Sequence, residues 1–486
     1  MLLHIASPSQ TSKASSLRLK VVLRLFPHFP IQLSVVVLLI SSAIFACSAE
    51  AENSTTELYD QLDERFQEFS SFFFQNILSP QESREFHNIA ALKTNVQSHL
   101  KQERSIKAIA SIAMNLELIQ RNVDSAAAQY FLTLLLKYNV WEPAEALFES
   151  IQHNGNKIST SNARFVMAKH YMKRHKWQKA LDYLDGISNK LAPHDSDHAL
   201  LLEGVALQRL KKHREAIEIY ERGIQTTQLA PFVMLNQAIA YLRQDWWTDA
   251  HITIENQLKQ SMPDEMTNRL YVVLGYSFMR QEYYRNARDM FRNVSLDSRY
   301  TNQALLGISL TAINQNDLLG GLNAANILKN KKANELPSEE AFLLVAFIYS
   351  RLEQYHTASA AYNEAIARYI QQINFIKDLL AKNDTLIDDI SITDNNNTLV
   401  VNTFKFDFSH AHPQSLLENY DIIRQLSSRA QNHETKQPFN NLLNDYNAAI
   451  NNIAREFLNK RIIQLNSYID QSRYGLALLY DNSVAK

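Results

Sequence analysis

Small, aromatic and basic residues recur along this chain at fixed offsets, and the offsets predict a row of helical hairpins. Aligned on one alanine per unit, the column reads Ala144, Ala180, Ala216, Ala250, Ala287, Gly321 and Ala358, at intervals of 34 to 37 residues. Twelve residues earlier stand Leu132, Ala168, Gly204, Ala238, Gly275, Ser309 and Ala346, small at every place but the first. Nine before the alanine the column is Leu135, Tyr171, Leu207, Tyr241, Phe278, Ala312 and Tyr349; four after it is Phe148, Leu184, Tyr220, Ile254, Phe291, Ala325 and Tyr362. Two helices approach closely where both contact points are small, and the bulky columns fill the space around that contact. The unit at Gly321 is the weakest, with Ala312 and Ala325 where bulk is expected. A further unit around Ala108 matches poorly, although IKAIASIAMNLELI has helical periodicity.

Outside the columns, Ser54 to Leu78 reads as one amphipathic helix carrying Phe66, Phe69, Phe72, Phe73 and Phe74. This stripe predicts a cap on the first repeat; a membrane-lying face is the alternative. The second helix of the last unit runs on past Ile370 to about Ala381. Asn383 to Pro413 is polar, with β-prone pieces Thr398–Val401 and Phe404–Phe408, and predicts a small hairpin or ordered loop, with disorder as the competing reading. PQSLLENYDIIRQLSSRA predicts one helix, and Pro438 to Asn482 a long one that closes the array. The expected organisation is a targeting segment over 1–49, N-terminal helices over 54–127, seven repeats over 128–381, a polar loop over 382–413 and a helical C-terminal module over 414–486. The expected fold class is all-α, an α-α superhelical solenoid.

From about Ala128 to Ile370 these columns resemble the tetratricopeptide repeat (TPR), a unit of about 34 residues in two antiparallel helices. The runs NQALLGISLTAINQNDLLGGL, EEAFLLVAFIYSRLEQYHTASAAYNEAI and IDQSRYGLALLYD look like a group of proteobacterial envelope TPR proteins of similar length. The resemblance implies an exported protein-binding scaffold and supplies no site.

Only nine glycines occur in 486 residues, none before Gly155, which suits long helices and short turns. Formal net charge is −1, so no global bias toward nucleic acid or a membrane surface exists. Lys13, Arg18, Lys20 and Arg24 precede every acidic residue, and the apolar run Ile31 to Cys47 follows them. The run is short for a membrane span and fits a secretory signal, with small-residue cleavage sites just after it. Cys47, the only cysteine, sits where bacterial lipoproteins are lipidated, although Phe45 is bulky for that motif. Cleavage, lipidation at Cys47 and retention as a membrane anchor remain three readings, and each puts the repeats outside the cytoplasm, in the periplasm or on the envelope.

No phosphate-binding glycine loop, HExxH or GxSxG occurs. The pairs His194/His198 and His410/His412 lack a third ligand, so neither metal nor cofactor is expected. The tryptophans Trp141, Trp177 and Trp247 stand three before the column alanine and read as packing residues; Trp246 is displaced by one and reads as exposed. One column is basic: Lys137, Lys173, Arg209, Arg243, Arg280 and Arg351, interrupted by Asn314. Beside it lie two basic turns, Lys173-Arg174-His175-Lys176 and Lys211-Lys212-His213-Arg214. The candidate partner-binding residues are therefore Lys173, Arg174, Lys176, Lys211, Lys212, Arg214, Arg209, Arg243 and Arg280, facing an acidic segment of a protein partner. A non-enzymatic scaffold is the expectation. The alternatives are a structural subunit whose groove holds its own C-terminal helix, and an envelope enzyme with its site in 383–486.

Overall fold

The computed structural model describes residues 59–71, 73–74, 85–223, 228–331, 334–381, 390–393, 398–401, 404–407, 413–429 and 433–484. The targeting segment, Cys47 and the ends of the Ser54–Leu78 helix lie outside the described residues. Residues 59–240 with 413–449 form one compact unit and residues 241–407 with 450–484 another.

The helices are α1 (59–71), α2 (Ile89–Lys101), α3 (Ser105–Met114), α4 (Leu116–Gln120), α5 (Ala126–Lys137), α6 (Trp141–Asn154), α7 (Lys157–Lys173), α8 (Trp177–Leu184), α9 (Pro193–Arg209) and α10 (His213–Glu221). They continue as α11 (Ala230–Arg243), α12 (Trp247–Leu258), α13 (Asp264–Arg280), α14 (Tyr284–Arg292), α15 (Thr301–Asn314), α16 (Leu318–Asn330), α17 (Leu336–Arg351), α18 (Tyr355–Ala381), α19 (Pro413–Arg429) and α20 (His433–Val484). Apart from α1, α4, α19 and α20 they pair as successive hairpins, so the fold is an all-α solenoid of TPR-like units.

The seven expected units are the hairpins α5/α6 to α17/α18, and each second helix starts at the column three before the alanine: Trp141, Trp177, His213, Trp247, Tyr284, Leu318 and Tyr355. The weakly matched stretch around Ala108 forms an eighth, α2/α3. What unites the eight is the turn. Glu103, Asn139, His175, Lys211, Asp245, Glu282, Asn316 and Glu353 all have φ between 56° and 66°. Each stands five before the column alanine. The next residue's N–H donates back across the turn to a helix carbonyl, from Arg104 to His99 through Gln354 to Tyr349, at 2.8–3.0 Å. This is the six-to-one bond of a Schellman helix ending. Glycine is its usual occupant, and none of the eight is glycine. A left-handed L-residue costs about 1–2 kcal/mol, so the turn bond and the packing of the following helix hold these residues in place.

The small column works differently from the expectation that it meets the alanine. A Cβ on Gly204 would lie 2.2 Å from the Tyr220 ring, and one on Gly275 would lie 2.6 Å from Phe291. The glycine thus accommodates the aromatic four after the alanine. Phe291 is also clamped from the next hairpin, where a Cβ on Gly307 would come within 2.4 Å of the ring. In the weakest unit a hydrogen bond replaces the missing bulk: Ser309 Oγ donates to the Gly321 carbonyl at 3.0 Å.

The C-terminal helix closes one stack, and α1 lies along the hairpin turns of the other. In the unit of 241–484, α20 runs antiparallel along α18. Arg455 Nη1 donates to the Leu380 carbonyl at 2.9 Å, the rings of Tyr468 and Tyr369 lie 5.5 Å apart, and Gly475 receives the Tyr362 ring as Gly307 receives Phe291. The C-terminal helix thereby takes the place a ninth hairpin's first helix would occupy. In the other unit, Phe66, Phe73 and Phe74 are fully buried. Phe69 and Phe73 meet Phe439 at 4.5 and 4.8 Å, and Phe66 lies 6.3 Å from Tyr446. The aromatic stripe is a packing face. The long helix begins at His433, so the expected start at Pro438 lies inside it.

The polar insert holds three antiparallel strands, β1 (Ile390–Thr393), β2 (Thr398–Val401) and β3 (Phe404–Asp407), in the order β1-β2-β3. Val401 and Phe404 are buried, and the Phe404 ring lies 5.9 Å from Phe375 on α18.

Candidate functional site

The basic turn of the third hairpin, Lys173 to Lys176, is already engaged. Arg174 is buried, its side chain 7% exposed, and its Nε donates to Asp63 Oδ2 on α1 at 2.8 Å. Its Nη1 meets His170 Nδ1 at 3.0 Å, and Nη2 donates to Asn139 Oδ1 in the preceding turn. Burial together with Arg174 and the neighbouring lysines drives the His170 pKa well down, so the imidazole is neutral and accepts this bond. Asn139 Nδ2 donates to Asn419 Oδ1 on α19 at 2.9 Å. Asn419 in turn donates to Tyr446 Oη on α20 at 3.3 Å, and Tyr446 to the Leu62 carbonyl at 3.3 Å. One buried polar network thus links α1, two turns, α19 and α20.

The flanking lysines are engaged from the same side. Lys173 pairs with Glu418 of α19, and its carbonyl accepts from Ser415 Oγ at 3.1 Å. Lys176 Nζ lies 3.4 Å from Asp60 of α1. Lys173, Arg174 and Lys176 therefore do not form a free partner surface. The acidic segment they meet is the chain's own, supplied by Asp60, Asp63 and Glu418. The second hairpin's turn is covered too, with Ser70 Oγ donating to the Tyr138 carbonyl at 3.1 Å and Ser71 Oγ accepting from the Glu142 N–H at 3.2 Å.

The fourth hairpin's turn differs most at one position. Leu210 stands where Arg174 stands in the third, so no buried ion pair forms. Lys211, Lys212 and Arg214 are exposed. Lys212 reaches only Glu215, at 3.8 Å, and Lys211 and Arg214 make no ion pair among the described residues.

Two cations of the basic column, Arg209 and Arg280, are packing residues. The Arg209 guanidinium lies 5.7 Å over the Trp177 ring of the preceding hairpin, and Arg280 lies 4.9 Å over Trp247 of its own predecessor. Arg280 also lies 3.7 Å from Asp245, and Arg243 is half-buried. Cation–π stacking of this kind contributes roughly 0.5–1 kcal/mol at exposed sites. At these two places the tryptophan column and the basic column, separate in the sequence, form one contact between successive units. The displaced Trp246 is 40% exposed, and Tyr283, its equivalent in the next turn, is 57% exposed.

Eight hairpins share one turn geometry, and six of them carry a small residue twelve before the column alanine. The fold is a solenoid of tetratricopeptide-like helix hairpins. No family model matches it, and no curated protein matches it. Among solved structures it is similar to the apo form of the quorum sensor NprR from B. thuringiensis, at 11% identity over 65% of this chain and 97% of that one, with a TM-score of 0.34. A signal transduction ATPase with a tetratricopeptide repeat sensor from Pyrococcus horikoshii matches at 12% identity over 75% of this chain and 63% of that one, TM-score 0.37. A Rap protein complexed with competence and sporulation factor matches at 12% over 79% and 99%, TM-score 0.24. The repeat assignment rests on the hairpins of this chain.

Among the described residues no three metal-ligating side chains come together, and no helix is long and apolar enough to cross a membrane.

Proposed function

We infer that this protein is a non-catalytic scaffold of the bacterial cell envelope that holds a partner protein against its repeats. The observation that carries the reading is the pair Trp246 and Tyr283. Consecutive turns present an exposed aromatic at the same register position, and aromatic side chains of this kind anchor protein interfaces. A photo-crosslinking amino acid placed at 246 or 283 in growing cells should give a discrete protein adduct. Placed at Glu255, on the exposed side of α12, it should give none. Equal labelling from all three positions, or none from any, contradicts the scaffold reading.

The location follows from the basic and apolar N-terminal segment. Reporters fused after it should be active only outside the cytoplasm. Replacing Cys47 by alanine should leave the chain's processing and fractionation unchanged if the segment is simply cleaved; loss of membrane association would assign lipidation there instead.

A further inference from the structure

We propose that the turn of the fourth hairpin, Leu210 to Arg214, docks an acidic amphipathic helix of a partner protein. The inference rests on the scaffold reading and names the chemistry of one partner segment.

The third hairpin shows what such a turn binds. There, Lys176 and Arg174 are met by Asp60 and Asp63, three residues apart and so on one face of α1. Leu62 and Phe66 of the same helix are buried beside them. The recognition element is thus a helix with acids on one stripe and bulky apolar residues on the next. Residues 59–71 contain four acidic residues against one arginine.

The fourth turn repeats the backbone, with Lys211 at φ 65° where His175 has 56°. It repeats the charge as well: Lys212 occupies the place of Lys176, and Lys211 and Arg214 add cations that the third turn lacks there. It departs at Leu210, which replaces a buried guanidinium by an apolar side chain. An acidic helix seated here would set its acids against Lys211, Lys212 and Arg214 and its apolar stripe against Leu210. The turn continues an edge whose two preceding turns are already covered by helices of this chain. The nearest competing carboxylate, Glu215, pairs loosely with Lys212 and is itself more than half exposed. Exposed charges of this kind act mainly on association rate and salt dependence.

The test uses the full chain and a fluorescent peptide copying residues 59–71, stapled between the positions of Gln61 and Arg65 to hold it helical, with binding read by anisotropy. The peptide should bind at low salt and weaken as salt rises. Its affinity should fall at least tenfold when Lys211, Lys212 and Arg214 are all changed to glutamate, with the chain still melting cooperatively within a few degrees of wild type. A peptide with asparagine and glutamine in place of its acids should bind at least tenfold more weakly. The proposal is overturned if the reversed chain binds the acidic peptide as well as wild type does, if the neutral peptide binds equally, or if a short duplex DNA of matched charge competes as well as the peptide. Failure here alongside partner adducts from positions 246 and 283 would remove this site and leave the scaffold reading standing; failure of both would remove both.

Discussion

Replacing Asp63 by asparagine separates an internal basic turn from an exposed one. In the folded chain the Asp63 carboxylate is fully buried and the Arg174 side chain 7% exposed, 2.8 Å apart. The substitution keeps the shape and removes the charge. Arg174 is then left in a closed site with His170, which is neutral, and Asn139. Breaking a buried pair from one side typically costs about 3–5 kcal/mol, because the remaining charge cannot regain water. For a unit of roughly this size that corresponds to a melting temperature lower by about 6–20 °C. Changing Lys211, Lys212 and Arg214 to glutamate should cost no more than about 0.5 kcal/mol at each position, since all three are exposed. Thermal unfolding followed by circular dichroism compares the two variants directly. Exchanging the pair, Asp63→Arg with Arg174→Asp, should recover part of the loss and show coupling in a double-mutant cycle. An Asp63→Asn chain that melts within 1 °C of wild type would refute the buried-network reasoning.

Three further outcomes follow from the same geometry. Gly204→Ala places a methyl 2.2 Å from the Tyr220 ring and should destabilise by about 1–3 kcal/mol in urea unfolding; no change would mean that the two helices are not in close contact. Glu103→Gly relieves a left-handed L-residue at φ 56° and should stabilise by up to about 1 kcal/mol, whereas destabilisation would show that α2/α3 lacks the shared turn. Burial lifts the Glu339 carboxyl to about 7, against the pull of Arg461 and Arg368. A raised carboxylate pKa means that the protonated form favours folding, so this contribution is complete below about 4.5 and is lost as pH rises through 7. Thermal melts between pH 5 and 8 should therefore show wild type losing stability relative to Glu339→Gln, and parallel curves would contradict it.

The hairpins were legible because their contacts are local. A residue at one column meets a residue 12 or 16 positions away, so Gly204 and Tyr220, or Gly275 and Phe291, leave a periodic trace. The eighth hairpin was obscured because Val96 stands at its small position and because the feature it shares with the others, a left-handed residue, is nowhere glycine. The strands β2 and β3 showed in their β-prone runs, whereas β1 lies between acidic and asparagine-rich stretches that masked it. The fate of Arg174 was not legible. Its partner lies 111 residues earlier in the chain, and the Lys173 partner Glu418 lies 245 later; no periodicity connects them. What the sequence did carry was the complementarity itself, a basic turn suited to an acidic segment. One trace of the answer was present, the acids Asp60 and Asp63 at helical spacing beside an apolar stripe. The stacking of Arg209 on Trp177 and of Arg280 on Trp247 was likewise readable only as two separate columns, because the contact joins one unit to the next.

The division of the turn edge into turns closed by the chain itself and a turn left open to a partner is tested most directly by amine-to-carboxyl crosslinking in growing cells, read by mass spectrometry. Lys173 and Lys176 should give intramolecular links to Glu418 and Asp60, and Lys211 and Lys212 should give links to an acidic segment of another protein. Intermolecular links from Lys173 and Lys176 instead, or only intramolecular links from Lys211 and Lys212, would contradict the account.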